Sequence, residues 1–346
     1  MFKKILKAVL IVFLLLILII NLPVVSVGHK TSDLDYSNWM SETLDNDIRV
    51  VDIKMLGAHD AFSSDINFFS APDKYADSIM KGIPGTLLKG FLVRQSVTQI
   101  TDANGLLRSG VRYFDIRLTY DEGTWKTKHN FVSSEFQQIA NSITKFLKKN
   151  DGEILILDFQ HINGVDYNSS NDYKLFSAML LEYGLLEFNY FGGDDLGNIT
   201  YGQVSEDKGA STVIIIDKFK VKNKKTYEYD LSVRSSWANR DNFRGTIDFL
   251  NNEMRTINEV HKYDDQFRVM QAVTTMQLSI PGILDSIRTW SLIERASKFN
   301  NALFNDNSFS DLINSMPIVM IDYCNSNDDN FLDNIMSDII KWNSKE

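Results

Sequence analysis

Short apolar segments rich in Val, Ile and Leu recur along the chain and alternate with segments of helical periodicity. Near-continuous apolar content is typical of strands buried on both faces, as in a parallel sheet. Strands that alternate with helices predict an α/β fold built from βα units, and a barrel is favoured over an open sheet. The predicted strands are 49–56, 111–118, 154–161, 212–219, 268–274 and 317–323. The predicted helices run roughly over 172–183, 251–263, 284–299 and 329–341.

A further helix is predicted in more detail between residues 134 and 149. Its apolar side chains recur on one stripe and are Phe136, Ile139, Ala140, Ile143, Phe146 and Leu147. Ser134 with Gln137 has the pattern of a capping box, and Asp151 and Gly152 follow as a stop signal. The helix therefore has a predicted beginning, an apolar face and a predicted end.

Residues 1–30 form the most apolar part of the chain. Three lysines precede an uninterrupted apolar run from Ala8 to Ile20. This pattern predicts an export signal, either a cleaved signal peptide or an uncleaved transmembrane signal anchor, and the sequence leaves both open. Because positive residues stay on the cytoplasmic side, the rest of the chain is expected to be secreted or anchored at the extracellular face of the membrane.

Residues 31–346 are expected to form a single domain, since an α/β barrel with long loops uses a chain of this length. Residues 62–95 interrupt the alternation of strands and helices and are predicted to be a lid or a membrane-facing insertion. The apolar stretch 78–93 within them either contacts a lipid surface or packs as a helix on the barrel.

The charge balance narrows the possible functions. The chain has 36 Lys and Arg residues against 45 Asp and Glu residues, which gives a formal net charge of -9. Broad binding of nucleic acid requires a basic face that neutralises phosphates, so nucleic acid is not an expected partner. The single cysteine, Cys324, excludes an internal disulfide and a Cys-rich zinc site.

Ionisable side chains occur in or directly after several predicted strands. They are His59, Asp60, Asp115, Arg117, His129 and Asp322. An unpaired buried charge is costly, so these groups are expected to meet, and the strand ends of a barrel are where active sites lie. Two His and an Arg suit phosphoryl transfer without a metal, because one His accepts a proton, the other donates one and the Arg binds the phosphate. A zinc site and a purely structural buried network are the alternatives.

Six segments carry these residues and their neighbours. They are LGAHD (56–60), GVRYFDIRL (110–118), the segment that ends in His129, GEILILDFQH (152–161), VIIIDKF (213–219) and IVMIDY (318–323). In this order they resemble the X domain of phosphatidylinositol-specific phospholipase C, over about residues 45–330. The family fold is a distorted TIM-type β/α barrel, which agrees with the alternation of strands and helices.

The resemblance implies a mechanism. His59 would be the general base on the inositol 2-hydroxyl, oriented by Asp322. His129 would be the general acid to the diacylglycerol oxygen, with Asp60 as its carboxylate partner. The implied activity is that of a phosphatidylinositol diacylglycerol-lyase, which releases diacylglycerol and a cyclic inositol phosphate.

The resemblance also bears on metals. Arg117 would bind the phosphate, and Asp115 would help to position the cluster. The His-Asp pair at 59–60 and the Asp-x-Arg pattern at 115–117 resemble the metal-independent bacterial type rather than the calcium-dependent eukaryotic type. We therefore expect no metal and no cofactor, and activity in EDTA.

Recognition of the headgroup is implied at three further positions. Lys218 matches a position with a basic residue near the inositol, and His161 lies near one where bacterial members often have Lys. Trp237 is expected either to stack on the sugar ring or to pack under a loop. The expected partners are a phospholipid membrane and the phosphatidylinositol headgroup, with the protein a monomer. The alternatives are a metal-dependent phosphodiesterase of another phospholipid and a catalytically inactive lipid-binding surface protein.

Overall fold

The computed structural model describes residues 2–21, 30–193, 195–277 and 280–344. Its strands are β1 (Met55–Ala58), β2 (Val111–Asp121), β3 (Thr124–His129), β4 (Phe131–Glu135), β5 (Ile154–Asn163), β6 (Thr212–Asp217), β7 (Tyr227–Glu228), β8 (Val233–Ser235), β9 (Phe267–Ala272) and β10 (Ile318–Ile321). Its helices are α1 (Phe2–Ile20), α2 (Trp39–Thr43), α3 (Ser78–Lys81), α4 (Ile83–Leu87), α5 (Lys89–Arg94), α6 (Ala103–Arg108), α7 (Phe136–Leu147), α8 (Ser170–Glu182), α9 (Tyr201–Val204), α10 (Tyr229–Ser232), α11 (Phe243–Val260), α12 (Ile280–Arg288), α13 (Leu292–Phe304), α14 (Phe309–Ser315) and α15 (Phe331–Asn343). Short 3-10 helices occupy Val50–Asp52, Leu185–Glu187 and Asp328–Asn330.

The described strands form one curled sheet whose main path is parallel. In chain order β1 pairs with β2, β2 with β5, β5 with β6 and β6 with β7, while β10 pairs with β1 and β9, and β9 with β8. Because β1 and β10 come from opposite ends of the domain, their pairing, with Met55 beside Ile318, closes the sheet on that side. The path ends at β7 and β8, so the sheet is a half-barrel of TIM type.

A hairpin extends the sheet at one end of the barrel. β2 is 11 residues long, and its last part pairs with antiparallel β3, where Leu118 lies beside Thr127. β4 pairs in turn with β3. The hairpin therefore extends past the carboxyl ends of the parallel strands and carries the end of β3 there.

The predicted α/β class is confirmed, and five of the predicted strands overlap β2, β5, β6, β9 and β10. The strand predicted over 49–56 is wrong for most of its length, because β1 begins only at Met55. The residues before it form the 3-10 helix Val50–Asp52, which an ion pair of 2.7 Å between Arg49 Nε and Asp52 Oδ2 closes. Apolar content alone did not distinguish this buried turn from a strand.

Helix α7 confirms the predicted apolar stripe, whose six side chains are all buried. The predicted capping box is wrong, because Ser134 belongs to β4 and its hydroxyl donates to Asp65. Glu135 occupies the N-cap position without a capping side-chain bond. Strand pairing and a long-range hydrogen bond thus replace the local cap.

Two other helices differ from the predicted ranges. α11 begins eight residues before the predicted start, because Asn242 caps it by accepting from the N–H of Gly245 at 2.9 Å. The helix predicted over 284–299 is two helices, α12 and α13, since Ser291 starts a new cap by accepting from the N–H of Glu294. Both differences come from caps within the predicted helical periodicity.

The N-terminal apolar run forms α1, along which Leu10 and Leu16 are among the exposed side chains. Among the described residues, no helix combines the length and the hydropathy that a membrane span requires. The end of the predicted export signal, residues 22–29, lies outside the described part of the chain. Signal peptide and signal anchor both stay predictions.

Candidate active site

The carboxyl ends of the strands bring the six predicted ionisable residues into one cluster. Two follow β1, two lie on β2, one ends β3 and one follows β10. The pairing of β1 with both β2 and β10 places these ends side by side. The six residues are His59, Asp60, Asp115, Arg117, His129 and Asp322.

The turn after β1 directs its polar side chains into the barrel. Asp60 has a φ of 41°, in the left-handed region that non-glycine residues seldom adopt. Its N–H donates to Asp115 Oδ2 at 3.1 Å, and the N–H of Ala61 donates to the Asp115 carbonyl at 2.8 Å. Buried Asp115 on β2 therefore holds this strained turn in place.

His59 lies between a carboxylate and a guanidinium. Its Nδ1 is 2.7 Å from Asp322 Oδ1, and its Nε2 is 3.3 Å from Arg117 Nη2. Arginine only donates, so this contact is a hydrogen bond in the neutral ring, in which Nδ1–H donates to Asp322 and the Nε2 lone pair is free. In this tautomer Nε2 is a hydrogen-bond acceptor, as a general base requires.

Asp60 joins the two imidazoles and the guanidinium. Its Oδ1 pairs with Arg117 Nε, while its Oδ2 is 3.1 Å from His129 Nε2 and 3.5 Å from His59 Nε2. The Nδ1–H of His129 donates to the carbonyl of Ser96 at 2.8 Å. The two rings, with centroids 6.3 Å apart, therefore present their Nε2 atoms to the same carboxylate.

The pKa values of the two imidazoles are shifted in opposite directions. Burial lowers the pKa of His59, but the carboxylates of Asp60 and Asp322 outweigh burial and raise it to about 9. Burial also lowers the pKa of His129, and there the attraction of Asp60 does not compensate. Burial opposes ionisation of Asp60, yet Arg117 and the imidazoles keep the pKa of this carboxyl below its usual range. Near neutral pH the ring of His59 is therefore protonated and the ring of His129 is neutral.

Three of these side chains have the chemistry of metal ligands. Within the described residues, ligand atoms of His59, Asp60 and Asp115 lie within 4.8 Å of one another. Arg117 contacts both carboxylates of this group, with Nη2 3.4 Å from Asp115 Oδ2. The guanidinium offsets part of the negative charge of this carboxylate pair, and it would repel a divalent cation bound there.

A cleft of about 900 Å³ opens in front of the cluster. One part of its wall is polar and consists of Gln160, His161, Lys218, Tyr229, Ser235, Asn239 and Gln271. Another part is apolar and consists of Met80, Leu88, Phe91, Leu92 and Leu292. The predicted insertion 62–95 supplies most of the apolar part, so it lies over the cleft as a wall. The cleft thus suits a ligand with a polar and an apolar end.

Phosphatidylinositol-specific phospholipases C have the same architecture. The enzyme from Listeria monocytogenes superposes with a TM-score of 0.60 at 18% identity, and covers 90% of this chain and 100% of that one. The enzyme from Staphylococcus aureus superposes with a TM-score of 0.58 at 15% identity, and covers 90% and 98%. At these identities the likeness concerns the fold.

Sequence similarity points to the same family. A PI-PLC X-box domain-containing protein of Dictyostelium discoideum is 29% identical over 158 residues, which are 45% of this chain and 20% of that protein. The predicted resemblance is confirmed. PI-PLC X domain-containing protein 3 of Danio rerio is 27% identical over 143 residues, 39% of this chain and 44% of the relative. The matches span less than half of these X-domain relatives, and no protein-family model matches the chain.

The three predicted headgroup residues all line the cleft. The ammonium of Lys218 lies 4.6 Å from the centroid of the Tyr229 ring. Burial, Arg117 and Lys218 lower the pKa of His161 to about 4, so its ring is neutral at pH 7. Trp237 is 53% exposed at the cleft wall and donates from Nε1 to the Thr275 hydroxyl, and its stacking on a sugar ring stays a prediction.

Other residues of the site escaped the sequence analysis. Ser96 orients His129 through a backbone oxygen, which no side-chain pattern reveals. The carboxyl group of buried Asp158 accepts from the Tyr113 hydroxyl at 2.5 Å, and burial together with Asp115 raises its pKa to about 8. The alternation of polar residues 158 and 160 at the end of β5 was a usable signal, since such positions face one side of a strand.

Proposed function

We propose that the protein is a phospholipase C of the phosphatidylinositol-specific type. It would cleave the bond between diacylglycerol and phosphate by intramolecular attack of the inositol 2-hydroxyl. The observation that carries this proposal is the pair of part-buried imidazoles whose Nε2 atoms both face Asp60, itself paired with Arg117, in a cleft lined by polar and apolar side chains. The confirmed resemblance to the X-domain family supports it.

In the proposed reaction one imidazole removes a proton from the substrate and the other donates a proton to it. Nε2 of His59 accepts the proton of the 2-hydroxyl while that oxygen forms a bond to phosphorus. The bond between phosphorus and the glycerol oxygen breaks, and Nε2 of His129 donates a proton to this leaving oxygen. Arg117 holds the phosphate oxygens and their growing charge. The products are diacylglycerol and a cyclic inositol phosphate.

The protonation states give this mechanism a recognisable pH profile. The reaction needs a neutral His59 and a protonated His129, whereas the resting pair holds its proton on His59. Asp60 Oδ2 lies near both Nε2 atoms and offers a path between them. The active form is then a minor protonation state of the enzyme. We expect kcat/KM to depend on pH in a bell-shaped curve, whose two apparent pKa values describe the coupled pair of imidazoles rather than either ring alone.

The walls of the cleft suit the two ends of a phosphatidylinositol molecule. The polar wall, with Lys218, Gln160 and Trp237, would bind the inositol, and the apolar wall of the insertion would lie toward the acyl chains. A phospholipid membrane is the expected partner. Because the N-terminal segment is predicted to be an export signal, we propose that the protein lies outside the cytoplasm, secreted or anchored at the extracellular face.

A metal-dependent phosphodiesterase is the second candidate, because His59, Asp60 and Asp115 could together ligate a cation. In the proposed mechanism Arg117 supplies the positive charge instead, so cleavage needs no calcium. The two candidates predict opposite responses to EDTA.

Phosphorus NMR on phosphatidylinositol vesicles with the full-length protein tests these proposals. We expect the cyclic inositol phosphate signal to grow in EDTA at the same rate as in calcium. Cleavage in calcium alone would favour the metal-dependent candidate. An unchanged lipid signal in both would contradict lyase activity and favour a lipid-binding surface protein.

Variants of the imidazoles test the roles directly. His59→Ala and His129→Ala should each lower the rate by about 10²- to 10⁴-fold, the usual contribution of general acid–base catalysis. His261→Ala is the matched control, since this histidine has a side chain that is 78% exposed outside the cleft. Unchanged cleavage by either cleft variant, with melting curves like the wild type, would refute the mechanism.

A further inference from the structure

Lys128 belongs to a row of side chains with basic nitrogens that crosses three strands, in which Lys128 and Arg117 are cations and His161 is neutral at pH 7. Leu118 pairs with Thr127 on the antiparallel ladder, so the next positions, Arg117 of β2 and Lys128 of β3, lie side by side. On the other side of β2, Arg117 pairs with His161 of β5. All three side chains line the cleft.

The burial of the alternate residues agrees with this row. Thr127, Leu118 and Ile162, each one position away, are buried on the opposite face of the sheet. Neighbouring strands are about 4.8 Å apart, and directly opposed side chains are in reach of each other. Lys128 and Arg117 therefore lie on the same face of the sheet, and both line the cleft.

The ammonium of Lys128 is poorly compensated by protein groups. Its side chain is 14% exposed, and Nζ is 4.0 Å from Asp73 Oδ2, the outer limit of an ion pair. That oxygen also accepts from Asn163 Nδ2 at 2.6 Å. Burial lowers the pKa of Lys128, and Arg117 adds to the lowering, while the carboxylates of Asp73, Asp60 and Asp115 oppose it. Arg117 pairs directly with Asp60 and Asp115, whereas among the described residues the ion-pair contact of Lys128 is the 4.0 Å approach to Asp73. The ammonium of Lys128 is therefore the cation of the two that an anion in the cleft would stabilise most.

We propose that Lys128 is a second cation of the phosphate site. Its ammonium would contact a non-bridging oxygen of the phosphodiester that Arg117 holds, and would stabilise the charge that grows there during cleavage. Lys128 stays protonated throughout and neither makes nor breaks a bond. The role of Lys128 in cleavage rests on the proposed function. Its role in phosphate binding does not, and the affinity for inorganic phosphate tests that role separately.

The activity test compares Lys128→Met with Lys126→Met. Lys126 precedes Lys128 by two positions on β3 but lines a different surface pocket, so it is a matched control. Loss of a charged hydrogen bond to a transition state should lower kcat/KM on phosphatidylinositol by about 10- to 100-fold in Lys128→Met. The control should stay within about twofold of the wild type, and Lys128→Arg should recover most of the loss, since its charge is retained.

The binding test uses inorganic phosphate and needs no turnover. Calorimetric titration of the full-length protein should show a phosphate affinity about tenfold weaker for Lys128→Met than for Lys126→Met. Asp73→Asn separates this role from a structural one. If Lys128 serves only to pair with Asp73, this variant should reproduce the losses of Lys128→Met. If Lys128 binds phosphate, Asp73→Asn should leave phosphate affinity equal to or tighter than that of the wild type.

The two proposals fail in different ways. If no variant cleaves phosphatidylinositol but Lys128→Met binds phosphate more weakly, the lyase is refuted and the second cation stands. Equal phosphate affinity and equal kcat/KM in Lys128→Met and Lys126→Met would overturn the second cation. If Lys128→Met melts well below the wild type, the phosphate affinities of Lys128→Arg and Asp73→Asn become the test of the second cation. A loss of phosphate affinity in Asp73→Asn as well would overturn the proposal.

Discussion

Two arginines on strand β2 lie five positions apart and have different surroundings. Arg112 is fully buried at the amino end of the strand, where its Nε donates to Glu153 Oε2 at 2.7 Å. Its other four N–H groups reach backbone carbonyls, those of Tyr36, Ser37, Leu107 and Val111. Arg117, at the carboxyl end, has a side chain that is 23% exposed, and its Nε and Nη2 contact Asp60, Asp115 and His59.

The difference separates a structural arginine from one that can bind a ligand. A guanidinium has five N–H donors, and Arg112 spends all of them on the protein. Arg117 is paired on one edge and faces the cleft with the other. An ion pair is common to both residues, so an ion pair alone does not identify a ligand-binding site. A ligand-binding arginine is identified by the N–H donors that the protein leaves free for a ligand.

The largest expected effect is on stability at the amino end. Arg112→Met should lower the free energy of unfolding by about 3 to 5 kcal/mol, because Glu153 would remain buried without its cation. Cleavage per folded molecule should not change, since the cluster lies at the other end of β2. Urea unfolding and the rate on vesicles measure the two properties. The double variant Arg112→Met with Glu153→Met should be less destabilised than the single one, and an equal or larger loss would contradict the pairing argument.

The conservative change Arg117→Lys should affect activity instead. A lysine keeps the charge beside Asp60 but cannot hold two carboxylates and a phosphate with one planar fork. We expect kcat/KM to fall by about 10²- to 10³-fold, the usual effect of removing a donor to a developing anion. Arg112→Lys is the matched control and should reduce stability while sparing the rate. Equal changes of kcat/KM and of stability in Arg117→Lys and Arg112→Lys would contradict the distinction between the two arginines.

The imidazole beside Arg117 should make stability depend on pH. The folded state raises the pKa of His59 from about 6.5 to about 9, so it favours the protonated ring. The resulting stabilisation, on the order of 2 to 3 kcal/mol, is fully present below pH 6.5 and disappears as the pH rises through 9. The raised pKa of Asp158 acts in the same direction, so the wild type must be compared with His59→Gln. Urea unfolding from pH 6 to pH 10 should show that the difference in the free energy of unfolding between the wild type and His59→Gln becomes smaller as the pH rises. A difference that does not change with pH would contradict the raised pKa of His59.

The sequence predicted the parallel α/β architecture because buried strands leave continuous apolar segments. It missed β7 and β8, which are two and three residues long and too short for any periodic signal. It also misplaced the start of β1 and the cap of α7, where tertiary pairing overrides a local pattern. Element identity was thus readable from periodicity, while boundaries depended on contacts between distant segments.

The six ionisable residues were predictable because charges at apolar strand ends must find partners. Their individual contacts were not, since the approach of Asp60 to both imidazoles depends on a left-handed turn that Asp115 holds. Lys128 was missed for a different reason. It precedes His129 in a short polar strand, and only its register beside Arg117 reveals that it faces the cleft.

The two ends of the barrel should also differ in their contact with lipid, which is the smallest effect that we expect. Phe69, in the insertion at the carboxyl end, is 90% exposed, and an aromatic side chain with so much apolar surface gains free energy on entering a membrane interface. Phe69→Ala should lower turnover on vesicles by about three- to tenfold, because a loss of about 1 kcal/mol of transfer free energy changes partitioning by that order. Turnover of a soluble short-chain substrate should stay the same. Leu181→Ala, at a residue that is 64% exposed on helix α8, is the control and should change neither rate. Equal losses on both substrates would mean that Phe69 supports the cleft rather than contacting the membrane.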